Sequence, residues 1–358
     1  MILSPITKFN PSALAKTCHH EDHEMFLPVA PERDQLDYRL EKCLGGGGMG
    51  QVFLATDTRL GETVALKLLR DAFVNDQSMK LRFEWEWTIC AALESENIVK
   101  VRDYGITRAG YPFYVMEYLP GQTLGQLLTQ TPRLSPQQTY SIMAQVCAGL
   151  KLAHEGILLV NEATGDNEVI QIIHRDLKPD NIFLVPGKSG FVVKVIDFGI
   201  AQIRRGQEDY INTQGFLGTS HYASPEQIEG AKELDQRADI YSLGLILYEM
   251  LTGYDAFGFN FRHHQVSVES WLWAHRDRTP QLLRSQPNCD HLSPALEAVV
   301  MKCLQKSPDA RFSSVQALSE ALREAVAEGF GELEERAIAK RRQKPLIETT
   351  IPDGRDLN

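Results

Sequence analysis

A run of glycines near the start of the chain constrains its fold more than any other feature. Five of the six residues of GGGGMG, 45–50, are glycine, and the flanking segments YRLEKCL and QVFLATD alternate as short strands do. A dinucleotide-binding loop instead requires a helix directly after its glycines, so that the helix dipole faces a pyrophosphate. Because a strand is predicted there, the run predicts a glycine-rich hairpin able to fold over phosphate groups. A plain flexible turn is the alternative.

The segments that follow extend this hairpin into a small sheet with one helix. TVALKLL and YPFYVMEYL have the composition of strands, and between them Leu81, Trp85 and Ile89 recur at helical spacing. After Pro120 the pattern becomes helical, with a helix-start signal at Ser135. This order predicts an α+β fold of two lobes, with a small β-rich N-lobe that holds one helix and a larger α-helical C-lobe.

The two ends of the chain differ from its middle in composition. Residues 1–35 mix proline, histidine and acids without periodicity, which predicts a mobile N-terminal leader. Residues 36–325 form the predicted domain, with the N-lobe over 36–119 and the C-lobe over 120–325. The last segment, 326–358, is charged and is expected to form a helix that frays into a tail.

A lysine stands in an apolar strand soon after the glycine run. Lys67 ends the sequence VALK, where burial of an unpaired ammonium group would be costly. It therefore needs a carboxylate partner, and Glu86 on the predicted helix can supply one as an ion pair. The ammonium group would then be placed to hold phosphate groups. Taken singly, the lysine could equally be a surface residue.

Two further motifs carry most of the chemical information. HRDLKPDN occupies 174–181, and the triplet DFG begins at Asp197, sixteen residues after Asn181. With the glycine run and VALK, these motifs resemble those of eukaryotic-type protein kinases, including the bacterial group. The lysine two residues after Asp176 is similar to the serine/threonine class. The resemblance covers residues 38–322, with every motif in order.

The resemblance implies the bilobal protein kinase fold, ATP as the phosphate donor and Mg²⁺ as the metal cofactor. In such a site Asp176 accepts the proton of the substrate hydroxyl, and Lys178 steadies the γ-phosphate during transfer. Asn181 and Asp197 are the implied ligands of Mg²⁺, an ion that prefers oxygen ligands. The implied catalytic residues are Asp176, Lys178, Lys67 and Glu86.

By the same resemblance, the nucleotide lies under the glycine-rich hairpin and against the strand that follows the helix. Backbone groups of Glu117 and Leu119 would bond the adenine edge, and Met116 would close the back of the pocket. Val52 and Ala65 would form apolar walls, although both could be ordinary core residues. The implied nucleotide-binding residues are Gly45, Gly46, Gly47, Gly48, Met49, Gly50, Val52, Ala65, Lys67, Met116, Glu117, Leu119, Asn181 and Asp197.

GTSHYASPE, at residues 218–226, resembles the end of a kinase activation segment, which shapes a groove for an extended peptide. Thr219 would touch the catalytic loop there. Glu226 is expected to form a structural ion pair with Arg311. Asp239, in ADIYSLG, is expected to anchor the catalytic loop from the centre of the helical lobe.

Regulation is predicted at the same segment. Arg175 directly precedes the implied base, and an arginine there suits a phosphate group on the activation segment. Thr213, five residues before Gly218, is the predicted autophosphorylation site, and an unmodified threonine is the simplest alternative. Two other acceptors in the segment are Tyr210 and Ser220.

Two stretches depart from the family pattern. Residues 156–173 are longer than the usual link before HRD, and TGDN between two apolar runs predicts an extra hairpin. Residues 254–287 are also unusual. Either a partner-binding loop or a packed helix would account for them.

Composition narrows the expected partners and location. A net charge of -10 argues against binding to nucleic acid or to an anionic membrane. The sequence contains no run of 18 apolar residues, which predicts no insertion into a membrane. Six scattered cysteines without CxxC spacing suit a reducing compartment, so a cytoplasmic location is expected.

The sequence therefore predicts a serine/threonine protein kinase that is activated by autophosphorylation, with a homodimer as the means of phosphorylation in trans. ATP and proteins that carry serine or threonine are its expected partners. The main alternative is a pseudokinase scaffold that binds nucleotide without catalysis, although Lys67, Asp176, Asn181 and Asp197 are all present. A small-molecule phosphotransferase is a further alternative, but such enzymes lack a segment like GTSHYASPE.

Overall fold

The chain forms a β-rich first lobe with one helix and a larger helical second lobe, so the predicted α+β class is confirmed. The structure is a computed structural model that describes residues 25–28, 37–107, 109–160, 167–188, 190–198, 220–231, 234–260 and 265–342. The strand-rich first part of the sequence forms the first lobe, and the helix-rich second part forms the second lobe.

A six-stranded antiparallel sheet builds the first lobe. Its strands, in chain order, are β1 (Met25–Pro28), β2 (Asp37–Gly46), β3 (Gly50–Asp57), β4 (Glu62–Leu69), β5 (Val101–Ile106) and β6 (Pro112–Glu117). They lie side by side in the order β1-β2-β3-β4-β6-β5. β1 falls inside the predicted leader and pairs with β2 at the edge of the sheet. β2 and β3 form the predicted hairpin, in which Gly46 pairs with Gln51.

The predicted helix of this lobe, α1 (Gln77–Ala92), begins where the side chain of Asp76 caps its first free amides. Its buried face includes Phe83 and Glu86. A carboxylate is thus packed between the helix and the sheet. The apolar stripe expected through Leu81 is wrong at that residue, because Leu81 is 46% exposed. The face of the helix that packs on the sheet thus contains one charged residue as well as apolar ones.

Strand alternation separates two apolar cores on the two faces of the sheet. Leu66 and Leu68 of β4 face one core, whereas Ala65 and Leu69 face the other, which α1 shares. Lys67 lies between these last two and therefore points to the α1 side. The strand pattern itself thus directs the lysine toward the helix that carries its expected partner.

Seven α-helices of the second lobe are described: α2 (Leu124–Gln130), α3 (Pro136–Glu155), α4 (Pro225–Ile228), α5 (Arg237–Thr252), α6 (Val268–Asp277), α7 (Pro294–Cys303) and α8 (Val315–Arg342). Ser135 begins α3 as predicted, since its side chain and that of Gln138 cap each other's backbone amides. Every residue of 238–252 is buried, so α5 forms the centre of the lobe.

Short strands complete the second lobe. β7 (Gln122–Thr123), β10 (Ile182–Gly187) and β11 (Gly190–Val195) form a three-stranded sheet, with β10 in the middle. The extra hairpin predicted within 156–173 is present as β8 (Ile157–Val160) paired with β9 (Asn167–Ile170). In the unusual stretch 254–287, the buried residues Trp271, Ala274 and His275 show that α6 is packed against the lobe.

The last described helix extends further than the predicted domain. α8 continues without a break past residue 325 to Arg342, and residues 343–358 lie outside the described part of the chain. Within the ranges described above, no helix combines the length and the apolar composition needed to span a bilayer.

Candidate active site

A buried lysine joins three elements at the inner edge of the first lobe. Nζ of Lys67 on β4 lies 2.7 Å from Oε1 of Glu86 on α1, so the expected ion pair is formed. The same nitrogen lies 2.8 Å from Oδ1 of Asp197, two residues after β11. One ammonium group therefore ties the sheet to the helix and to the start of DFG.

The charges in this cluster depend on one another. Burial alone would lower the pKa of Lys67, but Asp197 and Glu86 outweigh it and hold that pKa well above its usual range. Burial would raise the pKa of Asp197, yet Lys67 outweighs it and the pKa is lowered. At Glu86 burial prevails, and the pKa is raised although Lys67 opposes the shift. The lysine is thus a charged group with two carboxylates beside it.

Glu86 has a second partner that the sequence did not suggest. The hydroxyl of Tyr114 on β6 donates to Oε1 of Glu86 at 3.0 Å. The other carboxylate oxygen, Oε2, is buried and has no hydrogen-bond partner among the described residues. Only the strand register, in which Lys67 pairs with Tyr114, shows that the two donors are neighbours.

The loop at residues 174–181, here called the HRD loop, presents a carboxylate from the second lobe. Nζ of Lys178 lies 2.8 Å from Oδ2 of Asp176, and the amide nitrogen of Asn181 donates to the Asp176 carbonyl oxygen at 2.8 Å. Oδ1 of Asp176 is buried and has no hydrogen-bond partner within the described ranges. The carboxylate therefore keeps unused capacity to accept a hydrogen bond.

Asp239 anchors the HRD loop as expected. Its Oδ2 accepts the backbone N–H of His174 at 2.8 Å, and its Oδ1 accepts that of Arg175 at 2.9 Å. Nε2 of His154 on α3 lies 2.8 Å from Oδ2. Burial opposes the charge, but His154 and these backbone donors outweigh it and lower the pKa of Asp239. The anchor holds Arg175 in a left-handed conformation, with φ of 64°.

Two side-chain oxygens can hold a metal ion where the HRD loop meets the start of DFG. The backbone N–H of Ile196 donates to the carbonyl oxygen of Asn181 at 3.0 Å, which brings Asn181 beside Asp197. The side-chain nitrogen of Asn181, Nδ2, donates the hydrogen bonds to Asp176. The side-chain oxygen, Oδ1, takes no part in them. Asp197 contacts Lys67 through Oδ1, so its Oδ2 remains as a possible metal ligand. A pair of hard oxygens of this kind fits Mg²⁺.

The glycine hairpin lies directly over the lysine. A Cβ atom at Gly50 would lie 3.1 Å from Cγ and Cε of Lys67, so a side chain there would press on the lysine. At Gly47 and Gly48 a Cβ atom would meet nothing within 4 Å. The hairpin therefore combines close approach at its base with open space at its tip.

The predicted adenine pocket lies on the same face of the sheet. Ala65 pairs with Met116, and both belong to the core shared with α1. Partly buried side chains pack against that core: among them are Met49, Val52 and Leu119. These apolar residues serve the core, and their position also allows them to border a nucleotide.

The side chain of Glu117 joins the two lobes instead of facing the pocket. Its Oε1 lies 2.6 Å from Nζ of Lys194 on β11 and accepts the backbone N–H of Lys100 at 2.8 Å. The amide of Glu117 donates to the carbonyl oxygen of Lys100 at 3.0 Å. That amide is therefore not free for a nucleotide.

The predicted ion pair behind the activation segment is confirmed. Arg311 donates to both carboxylate oxygens of Glu226, at 2.6 and 2.8 Å. Gln227 donates to the carbonyl oxygen of Arg175 at 2.8 Å, which links the segment to the HRD loop. Ser220 is buried. Other predicted positions lie outside the described residues: Gly199, Tyr210, Thr213 and Thr219.

Comparison with known proteins finds a family that this sequence matches. A family model described as the protein kinase domain matches residues 38–322. Serine/threonine-protein kinase A of Synechocystis is 43% identical over 289 residues, which are 80% of this chain and 52% of that protein. Serine/threonine-protein kinase pkn3 of Myxococcus xanthus is 35% identical over 290 residues, 78% of this chain and 48% of the relative.

Serine/threonine-protein kinase PknB of Mycobacterium tuberculosis is 38% identical over 281 residues, 77% of this chain and 41% of the relative. The chain thus spans about half the length of the curated relatives that it matches. Among solved structures, the PknI kinase domain of Mycobacterium tuberculosis superposes with a TM-score of 0.56 at 23% identity. The superposed region covers 80% of this chain and 96% of that domain. This likeness concerns the fold.

Proposed function

Because the chain belongs to the protein kinase family, we propose that it transfers the γ-phosphate of ATP to serine and threonine hydroxyls of proteins. Three matched relatives are named serine/threonine-protein kinases, which supports this acceptor class. The observation that carries the proposal is the meeting of two half-sites. Asn181 contacts the carboxylate of Asp176 in the second lobe, and Lys67 of the first lobe contacts Asp197, which Asn181 adjoins.

In the proposed reaction the carboxylate of Asp176 accepts the proton of the acceptor hydroxyl. Lys178, 2.8 Å from Oδ2 of that carboxylate, is placed to steady the phosphate that moves. Lys67 binds the remaining phosphates of ATP under the glycine hairpin. Asn181 and Asp197 would hold Mg²⁺, which neutralises charge on the phosphate oxygens when bound.

Replacement of the base tests the proposal. Asp176→Asn should lower the transfer of labelled γ-phosphate to a generic protein acceptor by about 10²–10⁴-fold. The affinity for Mg-ATP should stay within about twofold, since the amide keeps the contacts of the loop. Asp290→Asn, an exposed aspartate of the second lobe, is the matched control and should leave transfer unchanged. A wild-type chain that binds ATP and transfers nothing would instead support the scaffold function.

Activation by autophosphorylation at Thr213 belongs to the same proposal. Arg175 lies next to the base, and Gln227 ties its backbone to the segment that follows Thr213. A phosphate group near that arginine would form charge-assisted hydrogen bonds and order the segment. Mass spectrometry of protein incubated with Mg-ATP should find phosphate on Thr213, and Thr213→Ala should lower activity. Phosphate at other residues and never at Thr213 would refute the assignment.

Phosphorylation in trans by a second copy is a separable part of the proposal. An active chain mixed with the Asp176→Asn chain should place phosphate on Thr213 of the inactive copy, at a rate that rises with protein concentration. A rate per active chain that does not depend on concentration, with no phosphate on the inactive copy, would show that each chain modifies itself.

A further inference from the structure

Two donors on neighbouring strands meet at one oxygen of Glu86. β4 and β6 pair so that Lys67 lies directly opposite Tyr114, and side chains at such positions share one face of the sheet. Nζ of Lys67 lies 2.7 Å from Oε1 of Glu86, and the hydroxyl of Tyr114 lies 3.0 Å from it. Both donors are buried, so the geometry does not depend on solvent.

The carboxylate needs the second donor because the first one is shared. Glu86 is only 2% exposed, and its Oε2 has no hydrogen-bond partner within the described part of the chain. Lys67 lies equally close to Asp197, at 2.8 Å, and in the proposed reaction it also binds phosphate. A buried carboxylate that relied on the lysine alone would lose its donor whenever the ammonium group turned to the nucleotide.

Tyr114 also contacts α1 through its ring. The ring centroids of Tyr114 and Phe83 are 5.2 Å apart, and Phe83 lies three residues before Glu86, one turn earlier on the helix. The ring thus packs on one turn of α1 while the hydroxyl holds the next. A change of Tyr114 to phenylalanine keeps the ring contact and removes only the hydroxyl.

We propose that Tyr114 is a positioning residue, whose hydroxyl keeps Glu86 and α1 in place while Lys67 engages the phosphates of ATP. This inference rests on the proposed function for its purpose, but the anchoring itself is a property of the chain without nucleotide. When the ammonium group turns to the phosphates, the tyrosine hydroxyl still holds the carboxylate and with it the helix. The loss of both releases it.

Amide hydrogen exchange over residues 77–92 tests the anchor without any turnover. We expect Tyr114→Phe to raise exchange in α1 by less than about threefold, because the ammonium group remains. Lys67→Met should raise it more, because two buried carboxylates lose their counterion. The double variant should raise it by at least about tenfold over Lys67→Met, since both hydrogen bonds to Glu86 are then missing. Equal exchange in Lys67→Met and in the double variant would overturn the proposal.

A second buried tyrosine of the same sheet provides the control. Tyr38 is 2% exposed and donates to Oδ2 of Asp103 at 3.1 Å, away from the site. Tyr38→Phe combined with Lys67→Met should leave exchange in α1 as it is in Lys67→Met alone. If the two double variants release α1 equally, a general loss of stability explains the effect and the specific anchor is refuted.

Catalysis gives an independent result. Tyr114→Phe should lower kcat about tenfold while the KM for ATP changes less than threefold, because the binding groups are intact and only their alignment suffers. An unchanged kcat would contradict the role in transfer. A wild-type chain without transfer would refute the proposed function alone, since the exchange result decides on the anchor by itself.

Discussion

Two buried carboxylates, one in each lobe, hold the two halves of the site by different means. Asp239 on α5 uses both oxygens, which accept two backbone amides of the HRD loop and face the ring of His154. Glu86 on α1 uses one oxygen for both Lys67 and Tyr114, and its other oxygen has no partner within the described residues. Both helices bury a carboxylate, but only at Asp239 do both oxygens accept hydrogen bonds from described residues.

The difference appears in the protonation of the two groups. Burial raises the pKa of any carboxyl group, and the donors around Asp239 outweigh that effect, so its pKa is lowered. Around Glu86 burial prevails and the pKa is raised. The donors around Asp239 therefore stabilise its charge more than the donors around Glu86 stabilise theirs. Asp239 thus has contacts at both oxygens, whereas Glu86 has them at one oxygen only among the described residues.

The largest expected effect tests the fixed anchor. Asp239→Asn should lower the free energy of unfolding by about 3–5 kcal/mol, because an amide cannot accept hydrogen bonds at both positions and a buried N–H group loses its partner. Urea unfolding at pH 7 measures the change. Asp235→Asn, at a side chain that is 46% exposed, is the control and should cost less than about 1 kcal/mol. A loss below about 1 kcal/mol at Asp239 would show that the anchor is not a stabilising one.

Acid should lower the stability of the second lobe and so reduce the difference between the two lobes. Burial lowers the pKa of His275 on α6 to about 3, followed by smaller effects of His221 and Lys306. As pH falls from about 6.5 toward 3, the unfolded chain binds a proton that the folded chain excludes, so the free energy of unfolding decreases. Between pH 7 and pH 4 this one group should account for roughly 3 kcal/mol of lost stability.

A variant that cannot titrate isolates this contribution. His275→Gln keeps a group that can meet the hydroxyl of Tyr241, which lies 3.1 Å from Nδ1 of the histidine. Its free energy of unfolding should vary less with pH than that of the wild type over the same range. Equal pH dependence in the two proteins would assign the acid sensitivity to other groups.

Much of this comparison could be predicted from the sequence, because motifs specify local structure. The glycine hairpin, the pair of Lys67 with Glu86 and the anchoring role of Asp239 all follow from short patterns. Tyr114 could not be found in this way, since its place beside Lys67 depends on the register of two strands far apart in sequence. The exposed Leu81 has a similar cause, because the buried face of α1 carries the carboxylate of Glu86 together with apolar side chains such as Phe83 and Ile89.

The same chemical change in the first lobe should have the smallest effect on stability and so gives the most direct contrast. Glu86→Gln replaces a carboxylate by an amide, as Asp239→Asn does. We expect the free energy of unfolding to change by less than about 1 kcal/mol, because the burial cost of the charge disappears with the ion pair. Lys67 keeps Asp197 at 2.8 Å as a counterion, and the amide oxygen can still accept from Tyr114. Phosphate transfer should nevertheless fall by about 10²-fold, because the lysine loses its alignment. A stability loss of about 3 kcal/mol or more would show that both carboxylates are equally fixed, and the distinction between the lobes would then fail.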